Sequence, residues 1–428
     1  MVQARACLPK MAIPILASAS YLRLYLLCTY RTPVAEMLAH SPPLPLIIDY
    51  FDEYDDITTE DEEGILLALE HRDRVHSIRL RMPFQSPKKL TNAVDDEFAI
   101  LECLVIVPLI DTNLSLALPK TFQAPHLRHL LLSNFALPIG SPLLTTAQTV
   151  NLISFVPEDI LPSAYFHPND LLQLLLHIPR LEMLSIHFES PVPNRDVEKQ
   201  LLQSPVITTH IILPNLRIFA FGGTSAYLAA LLPRMTTPLL ETLQIKFVDE
   251  VSFPLPHLQH FISTIENLRF SRATLTFIEH IISLSVYPHE VARVASEMEF
   301  DCGLWGLPVA SAAQMINSFR LSFSSVEELT LKYINNIYVS LEWTYGADRS
   351  QWRKLLRPFS NLKKLQVPWD LIRAVSCSLE AEDGESPMGI LPELKELSYS
   401  GCRDDRGAFT KFIDSRQTTG HPVALIKK

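Results

Sequence analysis

The chain has 428 residues, of which 47% are hydrophobic and 20% charged, and its formal net charge is −10. That composition supports a large buried core and excludes wholesale disorder. The acidic balance, without a basic stripe of any length, argues against nucleic acid as a partner. No long apolar window is free of charge, so no membrane span is expected.

The first stretch, "MVQARACLPKMAIPILASAS", places Arg5 and Lys10 before an apolar run and Ala17-Ser18-Ala19, the layout of a secretory signal. Against that reading, Pro14 interrupts the run, and Cys7, Cys28, Cys103, Cys302, Cys377 and Cys402 are scattered with no C-x-x-C pair. Scattered thiols suit a reducing compartment, which points to a cytoplasmic or nuclear location and a first helix in place of a signal. Next, "DYFDEYDDITTEDEE" (49–63) packs nine carboxylates into fifteen residues. Counting from Asp52 puts Ile57 at the sixth position, where an EF-hand calcium loop wants glycine, so a solvated acidic loop leading into a helix is expected. In that helix Thr59 and Glu62 have capping-box spacing, and Ile65, Leu66 and Leu69 form the buried stripe.

From residue 75 onward one figure recurs, an apolar residue at offsets 0, 3 and 5. It is written by Val75-Ile78-Leu80, Leu101-Leu104-Ile106, Leu127-Leu130-Leu132 and Leu181-Leu184-Ile186. It returns in Leu216-Phe219-Phe221, Leu240-Leu243-Ile245, Ile265-Leu268-Phe270 and Ile281-Leu284-Val286. Val326-Leu329-Leu331, Leu362-Leu365-Val367 and Leu394-Leu397-Tyr399 complete the series, with "TVNLISF" (149–155) as a weaker case. The first residue anchors a bend, and the next two, separated by two, share one face of a short strand. Parallel pairing of successive strands requires crossovers, usually helical. The pattern is the L-x-x-L-x-L signature of leucine-rich repeats, and anchors 75, 101 and 127 are 26 apart, within the repeat's usual period.

Single units can be read in detail. Asn169 or Asp170 can cap a helix carrying Leu171, Leu172, Leu174 and Leu175 that Pro179 stops. Ser350 can cap another with Trp352, Leu355, Leu356 and Phe359 inward. Between 286 and 326 the figure lapses. There Met298, Phe300 and Cys302 alternate as one more strand, and small residues at 311–314 open a helix. The fold class expected is α/β, an irregular leucine-rich-repeat-like solenoid over residues 41–428 with a parallel sheet on the concave face and helices on the convex face. An N-terminal helical segment over 1–40 precedes it.

Degenerate helix–strand repeats, together with "PPLPLIIDYFDE", "DEEGILLALEHRDRV", "QAPHLRHLLLSNFALPIGS", "PVPNRDVEKQLL", "TTPLLETLQI" and "ENLRF", resemble the repeat region of F-box-type proteins from mushroom-forming fungi. The resemblance covers residues 41–428. It implies an N-terminal F-box that docks onto the Skp adaptor of a cullin–RING ubiquitin ligase, with repeats that present a protein substrate. This chain departs from the pattern: "LPKMAIPILASASYLRLYLLCTYR" (8–31) is short for an F-box, contains Pro14, and no tryptophan follows. The F-box is therefore missing or degenerate, and an interaction scaffold without ligase contact is the alternative.

Chemistry-bearing motifs are sparse. There is no G-x-S-x-G, no G-x-G-x-x-G and no phosphate loop, so an enzyme is not expected, and no cofactor is implied. Gly222 and Gly223 could hold an anion between strand and helix, but a turn followed by a Thr224 or Ser225 cap accounts for them. His126 and His129 diverge if they lie on a strand, and His257 and His260 have no third ligand nearby, so neither pair argues for metal. The candidate site is the outward side of the strands, at offsets 2 and 4 of the figure. There the strands between 103 and 220 read Cys103 and Val105, His129 and Leu131, Met183 and Ser185, Ile218 and Ala220, apolar apart from Ser185, whereas later strands offer polar pairs such as Thr242 and Gln244, Ser283 and Ser285, or Lys364 and Gln366. An exposed stripe of this kind marks a protein-binding surface. The competing reading has a loop such as "VPNRDVEKQ", or the N-terminal segment, lying over it.

Overall fold

The computed structural model describes residues 25–51, 57–83, 89, 93–109, 116–119, 121–133, 135–136, 145–155, 167–189, 210–247, 255–265, 270–278, 281–287, 296–301, 308–319, 323–334, 349–381, 386, 388–400 and 407–427. Strand and helix alternate through most of it. The N-terminal region runs β1 (Leu26–Cys28), α1 (Val34–His40), β2 (Leu46–Tyr50), α2 (Thr59–Glu70), β3 (Val75–Pro83), β4 (Cys103–Leu109), β5 (Leu116–Ala117), β6 (His129–Ser133), β7 (Phe135–Ala136) and β8 (Thr149–Phe155). The middle adds α3 (Pro168–Leu176), β9 (Met183–Glu189), β10 (Ile211–Ile212), β11 (Ile218–Gly223), α4 (Ser225–Leu231), β12 (Met235–Thr236), β13 (Thr242–Phe247), α5 (Pro256–Thr264), β14 (Arg272–Ile278), β15 (Ile281–Tyr287) and β16 (Ser296–Asp301). The C-terminal region is α6 (Pro308–Ser318), β17 (Glu328–Ile334), α7 (Arg349–Leu356), β18 (Lys364–Val367), α8 (Ile372–Leu379), β19 (Glu396–Tyr399), α9 (Thr410–Thr418) and β20 (Ala424–Lys427).

The recurring figure builds this alternation in a definite way. The backbone N–H of Leu101, Leu127, Leu181, Leu216, Leu240, Val326, Leu362 and Leu394 each donates to the carbonyl three residues earlier, so each of these anchors closes a tight turn. The next two N–H groups commonly bond a single carbonyl in the preceding unit. Those of Arg217 and Ile218 reach Glu182, those of Glu241 and Thr242 reach Arg217, and those of Lys363 and Lys364 reach Glu327. Each turn is thereby stapled to the one before it. The triples opened by residues 75, 101, 127, 181, 216, 240, 326, 362 and 394 are buried throughout, most at 3% exposure or less. Leu171, Leu172, Trp352, Leu355 and Phe359 from the crossovers join them in one continuous core. Truncating one such leucine leaves a cavity that costs about 2–5 kcal/mol.

Sixteen strands form one open sheet in the order β1-β2-β3-β4-β6-β8-β9-β11-β13-β16-β15-β14-β17-β18-β19-β20. All its pairings are parallel except those that β15 makes with β14 and β16. The molecule is thus a mixed α/β fold on a large, mostly parallel sheet. The expected strand near residue 298 is β16, and the expected small-residue helix is α6, with Ala312 and Ala313 buried.

Several expectations are corrected. The figure at 281–286 does not open another parallel unit, because β14, β15 and β16 form a meander placed in reverse order between β13 and β17. Ile281 lies within a continuous strand, three residues from Leu284, so the two fall on opposite faces. At Ile265-Leu268-Phe270 the strand begins later, at Arg272, and Leu268 lies outside the described residues. Across the expected boundary at residue 40, β1 pairs in parallel with β2. Residues 1–24, with the signal-like stretch and most of the F-box-like segment, lie outside the described residues.

Helix starts move as well. The capping box is Thr58 with Asp61, one residue earlier than Thr59 with Glu62: Asp61 N–H donates to Thr58 Oγ1 at 3.2 Å and Thr58 N–H to Asp61 Oδ2 at 3.0 Å. Asp61 also accepts from the Arg31 N–H at 2.8 Å, which ties the chain before α1 to the start of α2. Burial alone would raise the Asp61 carboxyl, but these hydrogen bonds and the Arg31 charge outweigh it and hold it below its ordinary range. His167 caps α3, not Asn169 or Asp170, and Ser350 lies inside α7. Toward the C-terminus, a pair of buried arginines bonds main-chain carbonyls. Arg353 donates to Ser378 at 3.0 Å and Glu380 at 2.8 Å at the end of α8, and Arg416 donates to Leu391 and Pro392 at 3.0 Å ahead of β19.

Candidate functional site

Burial alternates along β13, β14 and β15, one set of side chains lying in the core and the other on the opposite face, whereas in β11 residues of both faces are buried. On that opposite face the candidate residues stand in register. Cys103 is beside His129, His129 beside Thr149, Thr149 beside Met183, and Met183 beside Ile218. Two residues further along, Val105, Leu131, Asn151, Ser185 and Ala220 form a second row. The geometry therefore brings all seven candidates together across β4 to β11.

The rows are neither wholly apolar nor wholly open. Thr149 and Asn151 from β8, the strand whose figure was weakest in sequence, stand between Leu131 and Met183 and their neighbours. Val105 is 3% exposed and Ala220 is 0% exposed, while Cys103, His129, Leu131, Met183 and Ile218 are half-buried. Contact with another molecule is thus available at five of the seven positions.

The strip carries no formal charge near neutral pH. Burial lowers the affinity of His129 for a proton, with Arg128 adding to the effect, and its Nδ1 lies 2.9 Å from Thr149 Oγ1. Burial raises the Cys103 thiol. In the next row His187 is pushed down to about 4, by burial first and by the Lys246 charge second. Its ring lies over Gly222, where a Cβ would stand 2.5 Å from His187 Nδ1, so the glycine is there for close approach. Asn151 Oδ1, Ser185 Oγ and His187 Nε2 are buried without hydrogen-bond partners among the described residues. Of this cluster the spacing of the figure offers Ser185 alone, because Asn151 lies on β8, where the figure is weak, and His187 lies beyond offset 4.

Beyond the strip, charges come in cross-strand pairs. Arg79 meets Asp49 at 3.0 Å, Lys246 meets Glu299 at 3.3 Å, and Lys364 meets Glu328 at 2.9 Å. Burial, then the neighbouring Glu299, raises the carboxyl of Glu297, which stands between Gln244 and Ser285. Such a face can present hydrogen-bonding and apolar groups to a partner.

The other motifs resolve locally. Thr224 caps α4 through its Oγ1, accepting from Tyr227 N–H at 3.3 Å, which accounts for the residues after Gly223. His126, His257 and His260 are exposed, and no group of three or more His, Cys, Asp or Glu able to hold a metal occurs among the described residues. Residues 52–56 of the acidic run lie outside the described residues. No described helix is long and apolar enough to cross a membrane. No protein-family model and no curated protein matches this sequence.

Proposed function

We propose that the chain is a leucine-rich-repeat-like solenoid, a protein-binding module and not an enzyme, that holds a protein partner against the concave strand face opposite its helices. The observation that supports this is the in-register strip of Cys103, His129, Met183 and Ile218 with Leu131, uncharged and flanked by compensated ion pairs. Desolvating neutral groups on binding costs far less than desolvating charges. The resemblance to fungal F-box-type repeats extends the reading to a substrate receptor of a ubiquitin ligase working in cytoplasm or nucleus. Affinity capture from cell extract tests the face. The double variant Leu131→Glu with Met183→Glu, melting like wild type, is expected to lose the proteins that wild type retains, and an unchanged set rejects this surface.

A second reading, a scaffold with no ligase contact, is favoured by one observation. The described residues before α2 do not form a separate helical module: β1 pairs with β2, and Arg31 bonds Asp61. Purified Skp adaptor separates the two, because the receptor reading requires it to bind the folded chain and the scaffold reading requires that it does not.

A further inference from the structure

We draw no further inference here: the strongest candidate, the outer edge of the sheet at β20, where Leu425 and Ile426 are exposed beside the buried Leu397 and Ser398 of β19, carries nothing because nothing in the structure shows what covers it.

Discussion

Strands β8 to β11 and the block β14 to β17 send the same kind of side chain to the helices and different kinds to the other face. Toward the helices, Leu184 and Phe219 in the first region and Leu275 and Leu284 in the second are all 0% exposed. On the far side the first region shows neutral groups held partly out of water, Asn151, Ser185, His187 and Ala220. The second shows hydroxyls and charges matched across strands, with Arg272 beside Glu328 and Glu328 beside Lys364. Core packing therefore constrains one face strongly and leaves the other free to vary, although the strands of the second block do not even run in chain order.

The largest expected effect tests the shared half of that comparison. Leu184→Ala and Leu284→Ala should each lower unfolding free energy by about 2–5 kcal/mol in chemical denaturation, because both side chains are buried whichever way their strand runs. A cost below about 1 kcal/mol for Leu284→Ala alone would show that the antiparallel strand is not part of the common core.

The next effect sharpens the difference. His187 is neutral in the folded chain down to about pH 4, while in the unfolded chain it takes a proton near its ordinary value of about 6.5. The unfolded state thus binds more protons between those values. Stability should be full above about pH 6.5 and fall by up to about 3 kcal/mol as pH drops to about 4. His187→Gln should flatten that portion of the pH profile of thermal melting, and an unchanged profile would remove the titration from the central region.

The smallest effect lies at the border of the two regions. Lys246 and Glu299, with side chains 52% and 31% exposed, pair across β13 and β16. Glu299→Gln should cost about 0.2–1 kcal/mol at low salt and less at high salt. A larger, salt-independent loss would mean that the pair is shielded from solvent.

Much of the core was legible from residue order, and the reasons are local. Leu181, Leu184 and Ile186 announce a turn and two same-side strand positions by spacing alone, and both are found. Cap positions were less legible: Thr58 and Thr59 are adjacent candidates, and only the position of Asp61, held by the Arg31 N–H, selects the first. The stripe was half legible. The register sets its residues in two rows with Ser185, but Thr149 and Asn151 stand among them, from a strand whose "TVNLISF" carries the figure weakly.

Residue order by itself determined which side chains would be buried and that short strands would alternate with crossovers, because spacings of three and two fix a turn and a face within a few residues. It did not determine strand order, strand direction or the rows on the open face. A period-two pattern is the same read in either direction, so "IISLSV" fits an antiparallel strand as well as a parallel one. Which neighbour Ile278 or Ala220 meets depends on pairings between residues distant in the chain, and only the assembled sheet decides those.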